Sequence, residues 1–134
     1  MKKEDFYTAP RANAGVKMPL KTDTGEDTGE WLLVRGVDSD AFRKARFEAA
    51  RTIRDLPEDM GEWERSQAVE DAIRENIVAL VADWSFDESC TPDAVREFVT
   101  QAPQVAAGID QIAADKSLFF GNASPASKST RKRK

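Results

Sequence analysis

The sequence predicts an α+β fold that is mainly α, with a short N-terminal β-hairpin, a bundle of about four helices and a disordered basic tail. The segment from Trp31 to Arg35, whose first four residues are apolar and which is bounded by Gly29 and Gly36, is typical of a strand. Over most of residues 39–120, apolar residues instead recur every three to four positions, which is typical of amphipathic helices. With 134 residues the chain is long enough for one core, so we expect a single globular domain over residues 15–120.

The predicted hairpin covers residues 16–35. Pro19 lacks a backbone N–H, so we expect its strand to lie at the edge of a sheet. The intervening residues 22–30 repeat Asp-Thr-Gly-Glu. Their oxygens suggest calcium, but the spacing differs from that of an EF-hand loop, and a polar hairpin loop is favoured. Residues 1–14 show no sustained period and are expected to form an irregular arm.

The helices are expected at residues 39–55, 62–83, 92–102 and 104–120. Side chains suited to capping start the first and third of them: the hydroxyl and carboxylates of residues 38–40, and Thr91, which precedes a proline. The second is expected to be the core helix. Its apolar stripe comprises Val69, Ile73, Ile77, Leu80 and Trp84. The last helix is expected to end at Gly121.

The net charge of −4 is distributed unevenly. Residues 121–134 contain no acidic residue and five basic ones, which leaves −9 on residues 1–120. These basic residues are Lys128, Arg131, Lys132, Arg133 and Lys134. With few apolar side chains the segment is predicted to be disordered. A solvated tail or a contact with an acidic neighbour is favoured over a nucleic-acid-binding arm, because the sequence shows no basic face elsewhere.

The residue types argue against an enzyme. Without histidine there is no imidazole to activate a nucleophile, bind a metal or shuttle protons near neutral pH. Cys90 is the only cysteine, which favours a reducing compartment and an inert thiol. The carboxylates of Asp83, Asp87, Glu88 and Asp93 could hold a cation or form an acid/base pair, but exposure near helix ends explains them more simply. We therefore expect no catalytic residue, no metal and no cofactor.

Membrane insertion and phosphate binding are not expected either. The longest apolar run, residues 77–82, is far shorter than the roughly 20 residues of a membrane span. The sequence has neither of the glycine-rich motifs that commonly bind nucleotide phosphates. What stands out is apolar helical surface late in the chain, which either packs internally or binds a partner.

The order of these features resembles the tail assembly chaperones of long-tailed bacteriophages. The resemblance rests on residues 30–42 at the end of the hairpin, the segment Ile77–Trp84, and the module from Thr91 to Ile109 that leads into Phe119 and Phe120. It spans about residues 16–120. It implies a protein without enzymatic activity that binds the tape measure protein, keeps it soluble and helps recruit the tail tube protein.

The resemblance also implies a location in the host bacterial cytoplasm and absence from the mature virion. Members of the family are often made in a second, longer form by ribosomal frameshifting, which a protein sequence does not reveal. On this interpretation the client or self-association surface, including any homo-oligomer contact, comprises Trp84, Phe86, Val95, Phe98, Ile109, Ile112, Phe119 and Phe120. The alternative for each of these residues is a place in the core.

Two other functions remain open at this point. A virion structural protein or head–tail connector would share the acidic helical body but stay in purified particles. A small nucleic-acid-binding regulator would use the basic tail, and its affinity would fall steeply with salt.

Overall fold

The computed structural model describes residues 1–120 and contains three strands and five α-helices. The strands are β1 (Val16–Lys21), β2 (Asp27–Val34) and β3 (Val81–Trp84). The helices are α1 (Ala9–Ala14), α2 (Asp40–Arg54), α3 (Glu62–Leu80), α4 (Pro92–Gln101) and α5 (Pro103–Ala114), with 3-10 turns at Lys3–Phe6 and Lys116–Phe119. The prediction of a mainly helical α+β fold is confirmed. The predicted disordered tail lies outside the described residues.

The predicted hairpin is formed by β1 and β2, which pair in antiparallel fashion. The sheet order is β1–β2–β3, so the strand that contains Pro19 lies at an edge, as predicted. Strand β2 starts at Asp27, earlier than expected, and the second half of the Asp-Thr-Gly-Glu repeat is therefore strand rather than loop. In the turn itself, Thr22 Oγ1 accepts a hydrogen bond from the backbone N–H of Glu26 at 3.0 Å.

The prediction of helix through residue 83 is wrong, because the chain changes to strand after Leu80. β3 pairs antiparallel with β2, with Leu32 opposite Trp84 and Val34 opposite Val81. Val81 and Trp84 are both buried, and their spacing of three residues also fits a helix face. Pairing with β2 makes this segment a strand rather than a helix, and a register shift in that pairing lets the side chains of Val81 and Trp84 both reach the core.

The N-terminal arm is ordered, contrary to the prediction of an irregular segment. It forms the first 3-10 turn and α1, and Pro10 lies in the first turn of α1, where its missing N–H is not needed. Ala12 is buried in a small second cluster with Val16 and Phe119. The backbone N–H of Gly36 donates to the carbonyl of Ala12 at 3.0 Å, which ties the arm to the end of β2.

The last helix is shorter than predicted, because α5 ends at Ala114. Asp115 has an extended backbone, and its carboxylate accepts hydrogen bonds from the N–H of Ser117 at 3.2 Å and the hydroxyl of Ser117 at 2.6 Å. Such local bonds compete with the helical pattern. They start the second 3-10 turn, which brings Phe119 back onto α1 and β1.

The main core lies where the sheet meets all four of the longer helices. It contains Leu32, Val34, Phe42, Val78, Leu80, Val81, Trp84, Val95, Val99, Ile109 and Ala113. The predicted stripe of α3 is only partly correct, since Leu80 is buried but Ile73 is 50% exposed. Ala72 and Val78 are instead the other buried residues of this helix.

Candidate partner-binding groove

A groove with a volume of about 910 Å³ lies between α2 and α3. The two helices are joined by the short connection 55–61, which places them side by side as a helical hairpin. Each starts where the local sequence favours it: the hydroxyl of Ser39 accepts from the N–H of Phe42 at 3.3 Å, and Glu62 and Glu64 lie in the first turn of α3.

Small apolar side chains line the groove. Helix α2 contributes Ala41, Ala45 and Ala49, which recur every four residues and share one face. Further alanines come from α3 and β3, and the loop before α4 closes one end with Cys90, Thr91 and Pro92. The additional alanines are Ala68, Ala72, Ala79 and Ala82. Side chains as small as these would allow another helix to approach the groove closely.

Charged residues border this apolar floor. Lys44 and Glu48 of α2 lie along the groove, as do Asp71 and Glu75 of α3. Arg35, at the end of β2, donates from Nη1 to the carbonyl of Ala79 at 2.9 Å, so it is held in place by α3. An apolar floor with charged edges fits an amphipathic helix better than it fits a small polar substrate.

Arg96 clamps α4 to α3 beside the groove. Its Nε donates to Oε2 of Glu75 at 2.6 Å and its Nη2 to Oε1 of the same carboxylate at 2.7 Å. Nη1 donates to Asp93 at 2.7 Å. The hydrogen bonds to Glu75 are the main reason that the pKa of Arg96 is raised, with Asp93 adding to the effect. This bidentate contact between Arg96 and Glu75 fixes the spacing of α3 and α4.

The single thiol at the end of the groove is not an activated nucleophile. Burial is the main cause that raises the pKa of Cys90, and the carboxylate of Asp83 raises it further, while Arg35 lowers it. A thiol with a raised pKa remains protonated near neutral pH and reacts slowly.

Three aromatic rings form a second, smaller feature at the junction of β3 and α4. The ring centroids of Trp84 and Phe86 lie 5.2 Å apart, those of Phe86 and Phe98 5.2 Å, and those of Trp84 and Phe98 6.0 Å, all edge-to-face. The indole N–H of Trp84 donates to the carbonyl of Glu88 at 2.9 Å. A shallow cavity of about 330 Å³ lies over this cluster.

Most of the residues predicted as a client or self-association surface lie inside the protein. Trp84, Val95, Ile109 and Phe119 are buried, so their prediction as an exposed surface is wrong: they fill the contacts of the sheet with α3, α4, α5 and α1. The partly buried members pack against the core, and only one member is exposed. The partly buried set is Phe86, Phe98 and Ile112, and the exposed residue is Phe120. The predicted electrostatic residues, from Lys128 to Lys134, lie outside the described residues.

The described chain also carries a basic face that the sequence had not indicated. Helix α2 contains five basic and two acidic side chains, which gives it a charge of +3, and its basic residues point mostly to solvent.

Within residues 1–120 no cluster of three or more histidine, cysteine or carboxylate side chains is arranged to hold a metal. None of the helices in that range is both long and apolar enough to cross a membrane.

Comparisons of the chain with protein-family models, with curated proteins and with solved structures found no match.

Proposed function

We propose that this protein is a tail assembly chaperone of a long-tailed bacteriophage, which binds an apolar helical segment of the tape measure protein and helps bring tail tube subunits to it. The observation that carries the proposal is the alanine-lined groove between α2 and α3. It replaces the surface expected from the sequence, whose residues are largely in the core.

The groove suits a helix with one apolar face. Ala41 and Ala45 would contact the apolar face of the client, while Lys44 and Asp71 would meet polar residues on its flanks. Such a contact covers apolar client surface that would otherwise aggregate. The charge of −9 on residues 1–120 would keep a complex of many copies in solution through mutual repulsion.

Co-expression with the cognate tape measure protein tests the proposal. We expect the client to become soluble and to co-purify with the wild-type chain. Ala45→Arg places a long charged side chain across the groove and is expected to abolish co-purification. Ala50→Arg is the matched control, because the same substitution stands on the same helix but at an exposed position away from the groove.

The control separates loss of binding from loss of folding. Both variants should retain the helical circular dichroism and thermal midpoint of the wild type. A folded Ala45→Arg protein that still solubilises the client would contradict the assignment of the groove. A wild-type chain that never co-purifies with the client but is present in purified particles would favour a virion structural or connector protein.

A nucleic-acid-binding regulator is the second candidate, favoured by the +3 charge of α2. On this alternative, affinity for DNA or RNA would fall steeply as salt rises and would drop when α2 is neutralised. Removal of residues 128–134 would weaken binding further if the tail contributes. Lack of binding at low salt would eliminate the candidate.

A further inference from the structure

The small cavity at the junction of β3 and α4 combines aromatic rings with carboxylates. The rings of Trp84, Phe86 and Phe98 stand edge-to-face, with centroids 5.2 Å to 6.0 Å apart. Glu88, in the loop after β3, and Glu97, on α4, line the same cavity and are exposed. We call this feature the aromatic cavity. It shares no lining residue with the groove between α2 and α3.

The two glutamates of the aromatic cavity have no cation of their own within the described chain. Residues 83–101 contain five acidic side chains and one basic, which gives them a charge of −4. The basic one, Arg96, is bound to Glu75 and Asp93. No ion pair formed within residues 1–120 engages Glu88 or Glu97. Their charge is therefore available to a ligand.

Rings and carboxylates together select a cation. Trp84 is 6% exposed and forms the floor of the aromatic cavity, so the half-buried Phe86 and Phe98 offer most of the ring surface. Aromatic rings attract ammonium and guanidinium groups, and carboxylates accept their N–H groups. A guanidinium group suits both, because it is planar and donates in a fork. A volume of about 330 Å³ is small for a ligand site and fits a single long side chain better than a helix.

We propose that the aromatic cavity binds the basic C-terminal segment of the same chain, residues 128–134. This segment contains five basic side chains and no acidic one, opposite the charge of −4 around the aromatic cavity. One of its two arginines enters the cavity, and the neighbouring lysines meet Glu88 and Glu97. The proposal is independent of the function proposed above, because the groove between α2 and α3 takes no part in the contact.

The basic C-terminal segment is long enough to reach the aromatic cavity. The ring of Phe119 lies against Gly36, where an added Cβ would be 3.3 Å from it. Gly36 follows Leu32, the partner of Trp84, by four residues, or about 13 Å of extended chain. The described chain therefore ends close to the strands that carry the cavity. The eleven residues 121–131 span up to about 36–40 Å, which exceeds the distance to be covered.

The acidic tip of the helical hairpin is a poorer site for this segment. Residues 55–71 carry seven acidic side chains and one basic, and Trp63 among them is 70% exposed. This tip lies at the far end of α2, about 22 Å from the start of that helix. The start of α2 is the end near the C-terminal residues, since Lys116 pairs with Asp38 at 3.2 Å. The effective concentration of a tethered ligand falls as the span approaches the reach of its linker.

Tethering makes a weak contact sufficient. The charged groups on both sides are exposed to solvent, so each single contact is weak and is screened by salt. A short tether gives an effective concentration in the millimolar range, so a dissociation constant of that order already leaves the aromatic cavity about half occupied. A partner that presents an arginine to the cavity must displace the basic C-terminal segment, which therefore acts as a built-in competitor.

Carbodiimide cross-linking of the full chain tests the proposal. The reagent joins a lysine amine directly to a carboxylate that it contacts. Cleavage before aspartate leaves residues 87–92, 93–109 and 115–134 as separate peptides, which contain Glu88, Glu97 and the basic C-terminal segment respectively. Mass spectrometry of the joined peptides then identifies the partners of the lysines.

The expected cross-links run from Lys132 and Lys134 to Glu88 and Glu97, and they should outnumber those to residues 55–71. Raising the salt from about 0.05 M to about 0.5 M shortens the screening length from about 14 Å to about 4 Å. The yield should then fall at least about threefold, because the contact is made between exposed charges.

A variant of the aromatic cavity leaves every cross-linking group in place. Phe86→Ala removes one wall, and the yield should fall at least about threefold if the rings hold a cation. Phe47→Ala is the matched control, because Phe47 is an aromatic residue that is 61% exposed on α2, away from the aromatic cavity. Circular dichroism and the thermal midpoint show whether each variant is folded.

A variant of the basic C-terminal segment leaves residues 1–120 unchanged. The double substitution Arg131→Gln and Arg133→Gln keeps both lysines, and its yield should also fall at least about threefold. Its control is Arg43→Gln with Arg46→Gln, which changes the net charge by the same amount on α2 and should leave the yield unaltered.

The source of the bound segment is identified with an equimolar mixture of unlabelled and isotope-labelled chains. Only cross-links within one chain are expected. Cross-links between unlabelled and labelled chains would place the segment on a second copy and overturn the proposal. It is equally overturned if the wild type gives no cross-link to Glu88 or Glu97, if the lysines react evenly with all acidic residues, or if either folded test variant retains the full yield.

Discussion

Replacement of Ile109 by alanine is the sharpest test of the main core, because the sequence predicts this residue on a surface. Its side chain is fully buried in the main cluster, on α5. Removal of three carbons costs about 0.8 kcal/mol each in lost burial. The cavity left behind adds to this loss, which brings the expected decrease in the free energy of unfolding to about 3–4 kcal/mol.

Urea denaturation followed by circular dichroism measures this loss. With a slope of about 1.5 kcal/mol per molar urea, the midpoint should fall by about 2 M. Phe120→Ala is the control, since Phe120 is 46% exposed, and its midpoint should change far less. If Ile109→Ala lowered the free energy of unfolding by less than about 1 kcal/mol, Ile109 would not be in a packed core and the placement of α5 would be wrong.

Three further predictions concern single side chains. The thiol of Cys90 should react with a disulfide reagent more slowly than a free cysteine at pH 7.5, with the rate rising at higher pH, because its raised pKa lowers the thiolate fraction; a rate equal to that of free cysteine would contradict it. Glu75→Gln should lower the free energy of unfolding, measured by urea denaturation, by only about 0.5 kcal/mol, because water screens its partly exposed ion pair with Arg96. A loss above about 2 kcal/mol would show that the ion pair is not screened in this way. Gly15→Ala should lower the free energy of unfolding by about 1–3 kcal/mol, because Gly15 has φ 95° and an added Cβ would lie 3.1 Å from Cγ of Leu33. An unchanged thermal midpoint would contradict that backbone geometry.

Local signals in the sequence were sufficient for much of the fold. The capping residues 38–40 and Thr91 mark helix starts correctly, because the hydroxyls of Ser39 and Thr91 accept hydrogen bonds from the backbone N–H groups three positions later. The edge position of β1 follows from one proline. β3 could not be predicted in this way, since its identity as a strand depends on β2, about 50 residues away in the sequence.

The candidate site was harder to predict than the fold. Ala41, Ala45 and Ala49 are visible in the sequence as a small-residue face, but the same pattern predicts close packing against a neighbour as readily as an open groove. The distinction depends on the separation of α2 and α3, which the connection 55–61 helps to set. Burial of Ile109 and exposure of Ile73 are likewise properties of the folded arrangement, because both residues belong to equally regular apolar stripes.

The insertion of α2 and α3 between two neighbouring strands has a consequence for the order of folding. The β1–β2 hairpin and the helical hairpin each close over short stretches of chain and can form within microseconds. Pairing of Leu32 with Trp84 must bring together distant positions, and its entropic cost falls once the intervening helices have folded and shortened the span. We therefore expect β3 to join the sheet late, so that the core beneath Trp84 is completed in the last step of folding.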